Sequence, residues 1–371
     1  MEMRSMKKFY SIFAIAALML AACSEPEPVV PVEPNPTPDE EAQEKPAVYF
    51  TYGGVADMTR TAISPEKNAN GASQFVWCEG DKVGVYCPYI GAANKTVTVA
   101  ANTETTPYYN TVLKTNLQYK DEADHTFYLY YPYSAASSSD PNTLHVQGNI
   151  PTLQDGDLRK SDFMWDIVTS NATQQTTSGV EGTMVHPHTY LRFYVVDAGT
   201  KDTNGNSITG TIAGKKVQAI TIEGDGSAAV AGTFMADLAS FKRNVASPAS
   251  ANKVSFTSKS SSVTLNYPAT PEGTTDKFWQ VMGKADYDAR DSYSIDSHPV
   301  LVINPEGISN KSFKVYVTIE DMPTFTASVS GKELANGIFY NITLGALKQS
   351  DGNFTLEVVG WEKISGEVVF E

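Results

Sequence analysis

The sequence predicts an all-β protein: two antiparallel β-sandwich domains in series, behind an export signal and an extended tether. Three observations carry this. Short apolar runs with period-two alternation, each closed by Gly, Pro, Asn, Asp or Ser, recur at about ten-residue spacing from Ala47 onward. Tyr (19) and Phe (16) are plentiful, whereas helical Ala/Leu/Glu/Lys runs are missing after residue 45. A chain of 371 residues has room for two cores of ordinary size. Charge narrows the partners. With 28 basic against 42 acidic residues the net charge is −14, which argues against nucleic acid or an acidic lipid surface, since phosphate binding needs clustered Lys and Arg. Three cysteines are too few for a disulfide framework.

Residues 1–22 read as an export signal and stand outside the fold. Arg4, Lys7 and Lys8 give a positive start, and Phe9 through Leu20 form an apolar stretch too short to span a bilayer. Leu20-Ala21-Ala22-Cys23 resembles a bacterial lipobox, which implies that Cys23 is acylated and becomes the first mature residue. The alternative is an ordinary secretory signal with a chance cysteine. Acyl chains contribute about 0.8 kcal/mol per buried CH₂, so several on one cysteine hold a protein to a membrane without a spanning helix. No other stretch is long and apolar enough to cross.

Residues 23–46 form the tether. Seven prolines fix φ and remove donors, and seven acids against the single Lys45 repel one another, so this stretch cannot bury a core. Acidic residues just after the cysteine also resemble the surface-export signal of Bacteroidetes lipoproteins. The expected location is the cell outer membrane, lipid-anchored and facing outward.

The first sandwich is expected over 47–199. Its strands are Val48–Tyr52, ended by Gly53-Gly54; Phe75–Trp77 and Lys82–Tyr86, flanking the turn Glu79-Gly80-Asp81; Thr126–Tyr131, stopped by Pro132; and Tyr190–Val196, with Leu191, Phe193 and Val195 on one face. Residues 134–142 read as a loop and 160–167 as a weakly helical or irregular piece. The polar run after Asp197 is the best place for a boundary, so the second sandwich is expected over 200–371. Its strands are Val217–Glu223, Ala228–Phe234, Lys253–Phe256, Val263–Tyr267, Phe278–Met282, Val300–Ile303, Phe313–Ile319, Phe339–Leu344 and Phe354–Val359.

An ordered set of signals resembles the fimbrillin family of Bacteroidales, the pilus-subunit lipoproteins. It comprises the lipobox and acidic tether; Thr59-Arg60-Thr61; Trp77-Cys78-Glu79-Gly80-Asp81-Lys82-Val83-Gly84-Val85-Tyr86; Tyr131-Pro132-Tyr133-Ser134; Ile150-Pro151 with Gln154; His188-Thr189-Tyr190-Leu191-Arg192-Phe193; Gly337-Ile338-Phe339-Tyr340; and Trp361. The resemblance implies two transthyretin-like β-sandwiches and a surface filament that the chain joins or anchors. Its partners would be other fimbrial subunits, in a homo- or hetero-polymer, and the outer membrane through the acyl chains on Cys23. It also implies that an Arg-directed protease cuts after the first strand, where Arg60 is the matching position. Such a cut would release the anchored piece 23–60. The alternative is an exposed loop arginine without a role.

The physics of such assembly is simple. A sandwich that loses Val48–Tyr52 keeps an open apolar groove and an unpaired sheet edge. A strand of another subunit can fill it, gaining ladder hydrogen bonds while alternate side chains plug the pockets. The donor candidate is the tail after Trp361, with Ile364, Val368, Val369 and Phe370 as its apolar residues. Gly366 weakens it as a strand, and the alternative is the last edge strand of its own domain.

Catalytic templates find little: no Gly-x-Ser-x-Gly, His-Glu-x-x-His or phosphate-binding glycine loop. No enzymatic activity, cofactor or metal is expected. His186-Pro187-His188 has no nameable third ligand, and His188 sits where the resemblance implies a structural histidine. Asp155-Gly156-Asp157 and Glu223-Gly224-Asp225-Gly226 lack the full oxygen spacing of a calcium loop. Cys78 and Cys87 would lie about 13 Å apart along a strand, beyond the roughly 7 Å a disulfide allows, so two thiols are expected. Tyr128, Tyr130, Tyr131 and Tyr133 read as core and rim residues. The rival function is a glycan-binding surface lipoprotein of a polysaccharide-uptake system, which needs a flat, exposed aromatic pair.

Overall fold

The computed structural model describes residues 47–52, 62–67, 73–100, 111–171, 175, 179–201, 207–208, 212–241, 254–270, 273–293, 298–348 and 354–364. The protein is all-β, with multiple sheets and two main hydrophobic cores. Around the smaller core, β1 (Ala47–Tyr52) lies between β6 (Thr111–Gln118) and β11 (Val180–Glu181). The facing sheet has the order β10 (Met164–Ser170), β7 (His125–Tyr131), β4 (Lys82–Cys87), β5 (Ala92–Thr98). Val48, Phe50, Leu113 and Val180 from the first sheet meet Val83, Val85, Phe127 and Leu129 from the second. A separate hairpin pairs β2 (Ala62–Lys67) with β3 (Ser73–Val76).

Around the larger core, one sheet runs β13 (Ser207–Ile208), β12 (Thr189–Lys201), β21 (Phe339–Lys348), β22 (Phe354–Ile364), with β18 (Leu301–Ile303) also paired to β12. The other has the order β20 (Phe325–Val329), β19 (Phe313–Ile319), β14 (Val217–Glu223), β17 (Ser262–Asn266), β9 (Leu153–Gln154). A third sheet joins β16 (Ser255–Phe256), β15 (Gly232–Asp237) and β8 (His145–Ile150). Two short α-helices, α1 (Leu158–Ser161) and α2 (Lys284–Asp288), and four single 3-10 turns complete the described elements.

Alternation places these strands. In β19, Phe313, Val315, Val317 and Ile319 are buried while Lys314 is exposed, the pattern of a sheet with one wet face. β12 breaks that pattern. Leu191, Phe193 and Val195 enter the larger core, as expected, but Tyr190 and Tyr194 are buried in two satellite clusters on its other face. Arg192 between them is fully buried, its guanidinium 4.6 Å from the Phe339 ring centroid.

Several local expectations are corrected. Residues 164–170 are strand: β10 pairs residue for residue with β7, from Met164↔Tyr131 to Ser170↔His125, and this long-range ladder outweighs a weak local signal. Only the single turn α1 precedes it, started by the Asp157 carboxylate accepting from the Arg159 amide. The strand expected to begin at Ala228 begins at Gly232. That glycine has φ +130°, and a Cβ there would lie 2.0 Å from the Ser258 carbonyl oxygen, so the chain turns before it enters the ladder. Phe278–Met282 makes only isolated bridges, Lys216↔Gln280 and Val196↔Met282. The sheets are also not purely antiparallel: β1–β11, β12–β21 and β17–β9 run parallel. Residues 189–201 form one strand, β12, and β8 and β9 pair with strands that follow it.

Candidate functional site

The candidate site is the slot occupied by β1. Its residues alternate strictly: Val48, Phe50 and Tyr52 are buried, and Ala47 is exposed. Burying three such side chains contributes ~1.5–3 kcal/mol each, against a slot that stands empty without them. Phe50 meets the Phe127 ring edge-on at 5.2 Å, and Tyr52 sits 6.1 Å from Trp77. On one side β1 pairs antiparallel with β6, Phe50↔Leu113 to Tyr52↔Thr111; on the other, Phe50 pairs in parallel with Val180.

The ladder to β6 shifts register between Ala47 and Tyr49. There the Thr115 hydroxyl donates to the Val48 carbonyl at 2.7 Å, supplying a bond that the irregular ladder does not. Two glycines beside β11 make room for aromatic rings. A Cβ on Gly179 would lie 2.2 Å from the Tyr49 ring, and one on Gly182 would lie 2.5 Å from the Tyr52 ring. The floor near Tyr52 is polar at one point: its phenol donates to Asp166 Oδ2 at 3.3 Å. Asp166 is fully buried on β10, between Met164 and Val168, which belong to the core that β1 covers.

The residues singled out from sequence fall as follows. Cys23, Arg60, Val368, Val369 and Phe370 lie outside the described residues. Ile364 is the last residue of β22, in register with Phe339 on β21. β22 itself is an edge strand of its sheet. No disulfide links Cys78 and Cys87, and burial raises the Cys87 thiol above its ordinary range. Tyr130 and Tyr131 are buried, while Tyr128 and Tyr133 are half-buried, so these four do not make the flat exposed pair a glycan platform needs. Asp157 is spent on the cap of α1 and on Lys160, and Asp225 accepts from the Ser227 amide.

His186 and His188 do not converge. His186 Nδ1 contacts Asp162 at 3.0 Å and also the Tyr190 hydroxyl, whereas His188 lies against the rings of Phe163 and Phe234. Burial pushes His188 down to about 4. Among the described residues no group of three metal-ligating side chains occurs, and no helix is long and apolar enough to cross a membrane.

Sequence reasoning found β1 but missed Asp166, Thr115, Gly179 and Gly182. The one available signal was an acid inside the apolar run Met164-Trp165-Asp166-Ile167-Val168, a position where an unpaired carboxylate would be costly.

The Fimbrillin-like family model matches residues 59–361, most of the chain. The chain belongs to that family. Solved structures similar to this fimbrillin-like chain include one from Bacteroides uniformis assigned to cell adhesion, 14% identical, covering 86% of this chain and 98% of its own, at TM-score 0.48. Another, from Bacteroides ovatus and likewise assigned to cell adhesion, is 12% identical with the same coverages at TM-score 0.46. A fimbrial assembly protein from Parabacteroides distasonis is 8% identical, again covering 86% and 98%, at TM-score 0.39. Among curated proteins nothing matches the fimbrillin-like chain.

Proposed function

We propose that this fimbrillin-like chain is a non-enzymatic pilus subunit joined to its neighbours by exchange of β1. The observation that carries the reading is the placement of β1: the first described strand, buried on alternate positions, hydrogen-bonded on both edges and covering an apolar core. Its departure would leave two unpaired edges and three empty pockets, a state stabilised by any strand of matching pattern. Because donor and acceptor surfaces differ, the joint is head-to-tail and need not close, so it propagates a filament.

In this reading Cys23 carries acyl chains that hold the precursor at the outer membrane. A protease then cuts at Arg60, in the link between β1 and β2, freeing β1 together with the anchor. The donor is the segment beyond β22, from Ile364 through Val368, Val369 and Phe370, offered from the end of an edge strand. Support for adhesion comes from the family and from the surface location that the signal and tether imply. The test is N-terminal sequencing of the protein from the native cell surface. A chain beginning at Thr61 is expected; one that always begins at Cys23 overturns the processing step and leaves a permanently anchored subunit.

A further inference from the structure

The groove under β1 is not uniformly apolar, and its polar point reads chemistry. Val48 and Phe50 meet carbon, but the Tyr52 phenol meets Asp166, a carboxylate with no exposure at all. The pocket is shaped for this ring: Trp77 flanks it, and Gly182 leaves open a space where a Cβ would come within 2.4 Å of Asp166 Oδ2 and 2.5 Å of the ring. When β1 leaves, Asp166 loses that phenol. A replacement strand carrying only hydrocarbon at this position would bury the carboxylate without the bond.

The geometry points to a partner strand bearing a tyrosine: an aliphatic residue, then phenylalanine, then tyrosine at alternate positions, with Asp166 as the selecting residue. This inference rests on the strand-exchange reading above and adds its specificity. Residues 362–371 of this chain contain no tyrosine, so by the same criterion its own tail is the poorer occupant and the better one is a strand of a different subunit.

The test uses the full chain with a site-specific protease site engineered between Tyr52 and Ala62. After the cut, labelled peptides Ala-Val-Tyr-Phe-Thr-Tyr and Ala-Val-Tyr-Phe-Thr-Phe are offered for exchange into the slot, and their affinities are read by fluorescence anisotropy. The tyrosine peptide is expected to bind about two- to tenfold tighter, the range for a net hydrogen bond. In the Asp166→Asn protein, which replaces the carboxyl group by an amide, the preference should narrow. Equal binding of the two peptides to the unsubstituted protein overturns the selectivity while leaving strand exchange standing. If neither peptide enters the slot, the strand-exchange reading falls, and the selectivity with it.

Discussion

The hydroxyl of Tyr52 is one oxygen atom joining the N-terminal strand to a buried carboxylate 114 positions away. Tyr52→Phe keeps the ring against Trp77 and removes the hydroxyl that donates to Asp166, so it should cost ~1–3 kcal/mol, because Asp166 stays buried. The urea midpoint should fall with an unchanged slope. His188 gives a second prediction, in pH. Its imidazole packs on Phe163 and Phe234, with Asp162 favouring the charged form and His186 opposing it, and burial dominates, holding it down to about 4. The unfolded chain, with an ordinary pKa near 6.5, takes up a proton that the folded protein refuses. Stability is therefore full above about pH 6.5 and is lost as pH falls towards about 4, by roughly 3 kcal/mol. His298, also buried and held well below its ordinary value by burial and by Arg192, acts in the same direction. Urea melts at pH 7 and 4.5 measure the loss, and His188→Gln should shrink it.

At the scale of elements, β22 bears on the donor. Its pairing with β21 runs out to Ile364, with Glu362 opposite Asn341 and Lys363 opposite Tyr340. A truncation at 362 would therefore remove three rungs of a sheet as well as the tail. Deleting 365–371 spares those rungs, and we expect a protein with unchanged melting temperature that no longer joins its partner subunits after processing. Sedimentation and thermal melts check both, and a lowered melting temperature would return the tail to its own core. Elements also differ in how plainly they are written. β14 and β19 run over 217–223 and 313–319 as expected, because β-forming residues are closed by turn residues at both ends; alternation is strict in β19, while β14 shifts register after Val217. β10 was not legible, since Trp165 and Asp166 are buried on opposite faces and the local pattern looks irregular. β5, β6 and β8 were missed for a related reason: apolar residues fill fewer than half of their positions, so the ladder partner decides.

For the whole molecule, the path of the chain matters more than its division at one point. β8 pairs with β15, β9 with β17 and β12 with β21, so strands before residue 199 build the larger core. Between β9 and β12 the chain returns through β10 and β11 to the smaller core. Residues 200–371 expressed alone would lack all but the end of β12, the strand that lies between β18 and β21. Leu191, Phe193 and Val195 would be missing from the larger core as well. No cooperative unfolding of that piece should be seen by circular dichroism in urea.

The local sequence determined which segments can be strands and which face of each is apolar, because a two-residue period is read within five or six positions. It also marked residues 1–22 as a candidate export signal and residues 23–46 as a proline-rich stretch whose composition cannot support a core. What tertiary structure decided is adjacency: the parallel neighbours of β1 and β12, the shared core, and the meeting of Tyr52 with Asp166. Alternation tells a strand to bury one side but is silent on which distant strand lies beside it, and a polar contact between two buried side chains exists only once the chain has chosen that neighbour.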